Sequence, residues 1–234
     1  MSAPLLRFHG ARIEAPGAAP LSLDFEIDGQ VVLLSGSFGP LLSLATGEAR
    51  LAAGSAEILG TSFRDAVRSG KLGVVPDLEE PTLLSVRDVL RASALLRGAG
   101  RGRAKADADA VLAEFGWTAI QKKRFQDLGR GGRRAVAIGC AALGGVEVVL
   151  VPRPFANLDD QEASVVERAL EVVTRKRRLL VSLLRSADTD GEARLVATAN
   201  AIVTLRDGVA TVRRSFPPPP PPSARPSNPS VPEW

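Results

Sequence analysis

The chain has 234 residues, of which 45% are apolar and 24% charged, enough for a substantial core and for one or two packed units through about residue 214. Its net charge of +4 and pI near 9.8 permit nucleic acid or an anionic membrane face as a partner. With no Tyr, eight Phe and two Trp, however, it has few rings on which bases could stack. No apolar run reaches the roughly 18 to 20 residues that span a bilayer, and the N-terminus lacks the basic-then-apolar order of a secretory signal, so a cytosolic chain is expected. The single cysteine, Cys140, lies among Gly and Ala in an apolar helical stretch and reads as a small core residue. It excludes a disulfide or a cysteine-based metal site within one chain. The lone His9 has no second His with which to form a metal site or catalytic pair and reads as structural.

In chain order, Leu5 to Ile13 is strand-like, and Leu21 to Ile27 alternates apolar and polar residues with the period of a half-exposed strand. After Asp28 and Gly29, the continuous apolar run Val31 to Leu34 suits a strand buried on both faces. It meets Gly36, Ser37, Phe38 and Gly39, a strand-to-helix glycine turn, and then Pro40, which suits a first helical position. Ala56 to Gly60 and Lys71 to Pro76 read as further short strands, the second ending on its proline. Ser85 with Asp88 three residues on reads as a helix cap with first-turn charge. From Val86 to Phe125 the apolar residues fall at helical intervals, broken by the flexible basic linker Gly98 to Arg103.

A Gly/Arg-rich turn, Leu128 to Arg134, then leads into a small-residue helix and the apolar run Val146, Val148, Val149, Leu150 and Val151, which reads as a buried strand entering Pro152, Arg153 and Pro154. Gln161 to Thr174 is an amphipathic helix, with the basic run Arg175 to Arg178 complementing its C-terminal dipole. Leu179 to Leu184 is the next buried strand. Ala201 to Val212 reads as a hairpin turning at Asp207 and Gly208. From Ser215 the chain is Pro-rich, with six consecutive prolines from Pro217 to Pro222. Such a tail cannot bury a core and is expected to be polyproline-like or disordered, as a spacer or a docking peptide.

The order of these pieces resembles the ATP-binding-cassette (ABC) transporter ATPase family over about residues 5 to 212. Gly36 and Gly39 stand in the phosphate loop. The most economical alignment deletes the four residues that carry its Lys and hydroxyl; an ungapped one places Leu41, Leu42 and Ser43 at the Gly, Lys and Ser/Thr places. Both lose the lysine that balances phosphate charge. Asp77 stands at the Q-loop glutamine. In Leu128 to Arg134, similar to the signature L-S-G-G-Q, Gly129 replaces Ser, Arg130 replaces a Gly, Gly131 is kept and Gly132 replaces Gln. Pro152 and Arg153 occupy the places of the Walker B Asp and Glu that hold magnesium and polarise water. Ala156, Asn157, Leu158 and Asp159 are similar to the family's S-G-L-D D-loop, which crosses a dimer interface. Leu184 takes the place of the switch histidine.

The resemblance implies an α/β fold of the P-loop NTPase (RecA-like) type, mainly a parallel sheet with N-terminal antiparallel strands. It divides the chain into a first core part, 1–82, an inserted helical subdomain, 83–134, a second core part, 135–214, and the tail, 215–234. The family's ligands are ATP and magnesium, but with these replacements no catalytic residue, metal ligand or cofactor is assigned to this chain. The function implied is that of a degenerate, non-hydrolysing ABC subunit acting as structural or regulatory partner of a permease or of a catalytic ABC subunit, with the membrane reached only through that partner. Two alternatives stand beside it: an active ATPase within a heterodimer, and a nucleic-acid-binding regulator that uses the basic residues Lys122 to Arg124, Arg130, Arg133 and Arg134.

Overall fold

The computed structural model describes residues 3–36, 38–76, 82–183, 190–206 and 209–214, with backbone alone at 190–192. Asp77, Leu184, the Asp207–Gly208 turn and the Pro-rich tail lie outside the described residues. Two sheets carry the fold. Strands β1 (Leu6–Glu14), β2 (Leu21–Ile27), β4 (Arg50–Ile58) and β5 (Thr61–Ser62) form a four-stranded antiparallel sheet in the order β2-β1-β4-β5. The other sheet has six strands in the order β10-β9-β3-β8-β7-β6, built from β3 (Val31–Ser35), β6 (Leu72–Val74), β7 (Val148–Pro152), β8 (Arg178–Leu183), β9 (Ala201–Arg206) and β10 (Val209–Arg214). Its inner pairings are parallel, and β10 returns antiparallel on β9.

Burial follows the sequence pattern. In β2 the alternating residues Leu21, Leu23 and Ile27 are buried and their neighbours face out, as a one-sided strand requires. In β3 and β7 four consecutive residues are buried, because the parallel sheet is covered on both faces. Successive residues of these strands serve different cores. Leu33, Val149, Val151, Leu179 and Val181 face the helical side. Val32, Leu34, Val148, Leu150 and Leu180 face the antiparallel sheet.

The helices are α1 (Gly39–Thr46), α2 (Phe63–Arg68), α3 (Val86–Leu96), α4 (Arg101–Glu114), α5 (Arg130–Ala141), α6 (Asp160–Thr174) and α7 (Asp190–Thr198). The expected cap is present at α3, where the Ser85 hydroxyl accepts from the Asp88 N–H and donates to its carboxylate. Backbone N–H groups of Val86 and Arg87 donate to Lys123 and Gln121, closing the base of the helical segment. Helix α5 runs from Arg130 to Ala141, so the boundary expected between residues 134 and 135 falls inside a helix whose far end packs in the core shared with α3, α4 and α6.

Three readings of the sequence need correction. The linker read at Gly98 to Arg103 ends at Gly100, the N-cap of α4, so that Arg101 to Arg103 form the first turn of that helix. The strand expected at Ala56 to Gly60 starts at Arg50, because β4 pairs along nearly all of β1; its first half is small or exposed residues held by that ladder rather than by burial. The basic run Arg175 to Arg178 lies beyond the last turn of α6 and makes tertiary ion pairs. Arg177 holds Glu114 at the end of α4 through two bonds of 2.6 and 3.1 Å, and Arg178 reaches Asp28 at 2.7 Å. Among the described residues, no helix is long and apolar enough to cross a membrane.

Candidate functional site

The carboxyl ends of parallel strands are where an open α/β sheet presents its ligand crevice. Here the ends of β6 and β7 face helices α1 and α5 across a cleft of about 700 Å³, within the range of small-molecule sites. Leu42, Ser43, Thr46 and Glu48 line one side, and Val74, Val75 and Pro76 close the β6 end. The opposite wall is basic: Arg130, Arg133 and Arg134 come from the first turns of α5, and Arg153 from the loop after β7. Ala156, Asn157 and Leu158 complete the rim, so the structure brings Ser43, Arg130, Pro152, Arg153, Asn157 and Leu158 to one cleft.

Gly36 and Gly39 are not among its lining residues. Gly36 has φ of +116°, and a Cβ there would sit 2.5 Å from the carbonyl oxygen of Leu205 on β9, so this glycine is required by the close approach of two strands. Phe38 follows, buried in the core between the sheets, and its carbonyl accepts from the N–H groups of Leu41 and Leu42 as α1 begins. Pro40 sits in the first turn and supplies no donor. The β3–α1 junction is thus drawn into the core by a phenylalanine.

The second glycine turn is occupied differently. The backbone N–H of Arg130, first residue of α5, donates to the Glu162 carboxylate at 2.9 Å. Glu162 belongs to the first turn of α6, whose N-cap is Asp159; the Asp159 side chain accepts from the Glu162 N–H at 2.8 Å. An Asp-x-x-Glu pair at a helix start ordinarily closes on itself as a capping box. Here the glutamate leaves its own helix and caps α5, where its charge suits the helix dipole. Gly131 lies against the same turn: a Cβ there would stand 2.4 Å from the Glu162 carbonyl oxygen. Gly132 is buried beside it. The retained glycine is therefore what lets α5 touch α6. Sequence reasoning missed Glu162; the visible signal was its spacing from Asp159 at the head of an amphipathic run.

At the end of β7, Pro152 pairs with Ser182 in the parallel ladder and the Arg153 N–H donates to the Ser182 carbonyl at 2.8 Å. Arg153 has φ of +43° and Asn157 φ of +58°. For an arginine this left-handed backbone costs roughly 1–2 kcal/mol. Its carbonyl accepts from Arg134 Nη1 at 2.8 Å, and the Leu128 carbonyl accepts from Arg133 Nη1 at 2.8 Å, so two guanidiniums are anchored by backbone. The Arg153 and Arg130 side chains are exposed. Among the described residues the only carboxylate lining the cleft is Glu48, and no group of three or more His, Cys, Asp or Glu is placed to hold a metal.

No protein-family model matches the chain. Its structure is similar to a chain of a transporter assigned to the metal-chelate ABC type, captured in an inward-facing conformation. The two share 18% identity with a TM-score of 0.73, covering 92% of this chain and 84% of that one. A second similar structure is an ATP-binding subunit of an ABC transporter, again at 18% identity, with a TM-score of 0.64 and 90% of each chain covered. The fold is that of ABC ATP-binding subunits. The cleft takes in Pro152 from the end of β7 and Arg153 and Asn157 from the loop after it.

Elsewhere, Cys140 on α5 is buried and its thiol is pushed up to about 12, chiefly by desolvation. Nearby, Arg97 donates to the Cys140 and Ala141 carbonyls at 3.0 and 3.3 Å, and burial lowers its pKa. Both groups finish the C-terminal end of α5 and take no part in the cleft.

Proposed function

We propose that this chain acts as a non-hydrolysing subunit of the ABC transporter type, supporting a permease or a catalytic ABC subunit rather than driving transport itself. The observation that carries this reading is the end of β7. Hydrolysis in a phosphoryl-transfer site needs a carboxylate to hold magnesium and a group to position water. Pro152 and Arg153 supply neither, and Arg153 would repel a divalent cation. Two further features support it. The β3–α1 turn is filled by Phe38, and the N-terminus of α5 is engaged by the chain's own Glu162.

Asp159 is accounted for by its N-cap role, so the remaining candidates for a subunit contact along the D-loop-like stretch are Asn157, which is exposed, and Leu158, which is half-buried. The partner on this reading is a permease, a second ABC ATPase subunit, or both, and the membrane is met through that partner. The test is a steady-state assay of the purified chain with ATP and magnesium, alone and mixed with an intact ABC ATPase subunit. No turnover above buffer is expected from the chain alone. Magnesium-dependent turnover that persists in the isolated chain and tracks its concentration would refute the reading.

A further inference from the structure

The cleft has a charge pattern that a magnesium-nucleotide site does not explain. Four arginines from two elements, the first turns of α5 and the loop after β7, line a cavity of ligand size, with Glu48 as the one carboxylate among the described lining residues. Such an array of like charges is held together against its own repulsion. Arg133 and Arg134 are anchored by the Leu128 and Arg153 carbonyls, which fixes where their planar groups point. Arg153 is carried on left-handed backbone, a conformation that persists in clamps where the surroundings over-determine it.

From this we infer that the cleft between α1, α5 and the β7 end is a metal-free binding site for a small oligophosphate, held by guanidinium–phosphate pairs in place of magnesium. Guanidinium forks match phosphate oxygens two at a time, and charge-assisted bonds of this kind are about twice as strong as neutral ones. Among the described residues, the apolar part of the lining, which includes Leu42, Val74, Val75, Pro76 and Leu158, contains no aromatic ring. The site therefore recognises the phosphate chain and is indifferent to a base attached to it. This inference takes its location from the same cleft as the proposed non-hydrolysing role, but it stands on the arginines and not on the absence of turnover.

The experiment is calorimetric titration of the full chain with sodium tripolyphosphate in EDTA at low salt, repeated with ATP in EDTA. One saturable site is expected, with the two ligands within about three-fold of each other. R130E and R153E, both at exposed side chains, are each expected to weaken binding about ten-fold or more. R101E, on the exposed start of α4 and outside the cleft, is expected to leave it unchanged. Circular dichroism of each variant separates loss of binding from loss of fold. Four results would overturn the inference: no binding in EDTA, binding that appears only with magnesium, binding weakened equally by R101E, or ATP preferred ten-fold over tripolyphosphate. The two readings fail separately. A chain that hydrolyses ATP but also takes up tripolyphosphate without metal loses only its non-hydrolysing role. One that does neither loses only the oligophosphate site.

Discussion

The two glycine turns of this chain, before α1 and before α5, are closed by opposite means. At α1 the closure is apolar: Phe38 is buried between the two sheets and Pro40 removes a donor, so reopening the turn means taking a ring out of the core. At α5 the closure is a single carboxylate, Glu162, reaching across from the next helix at an exposed position. The first kind of closure is strongly coupled to folding and the second only weakly. A helix start sealed by core packing cannot be regained by one surface substitution, whereas one sealed by a side chain can.

The difference can be broken from the apolar side first. Phe38→Ala is expected to cost about 3–5 kcal/mol, the range for deleting a buried aromatic, read as a lower midpoint in urea denaturation. A cost under about 1 kcal/mol would mean that the β3–α1 turn does not depend on that ring. Gly131→Ala pushes a methyl into the α6 backbone and is expected to lose about 1–3 kcal/mol by the same measurement, whereas Gly39→Ala, with open space around it, should lose far less. Glu162→Gln keeps the shape of the cap but removes its charge. A loss of about 0.3–1 kcal/mol is expected from thermal denaturation, and it should shrink as salt is raised. The smallest effect is at Cys140: with its thiol held near 12, native protein at pH 8 should give no reaction with a thiol reagent over the time in which urea-unfolded protein reacts fully. Rapid native labelling would show that the far end of α5 opens more readily than its packing implies.

Much of the scaffold was legible because the sheet writes its environment into composition. Val31 to Leu34 and Val148 to Val151 are continuous apolar runs since both faces are covered, and Leu21 to Ile27 alternates since one face is wet. The start of β4 was not legible. Arg50 to Ser55 carries little apolar signal, and only the partner strand makes it extended. At the site, Ser43, Arg130, Pro152 and Arg153 could be read in order, but their meeting in one cleft could not, because they come from three elements joined only by the topology. The roles of Gly131 and Asp159 were hidden for another reason. Each residue matches a family motif, and each is also demanded by local geometry, by helix contact in one case and by an N-cap in the other. A matching letter therefore does not by itself mark surviving function.

The Glu114–Arg177 pair has a consequence for motion. It joins the last residue of α4 to the entry of β8 across 63 residues of chain, largely shielded from solvent. Against the cost of its own burial, the Arg177 bond and the charges of Arg177 and Lys176 draw the Glu114 carboxyl below its ordinary value, so the tether is at full strength above the usual glutamate range and slackens only as acid drives the pH below it. At neutral pH the end of α4 cannot fray independently of the sheet. Its amides should exchange with deuterium on the slow schedule of the central strands, so the helical segment travels with the sheet as one cooperative unit.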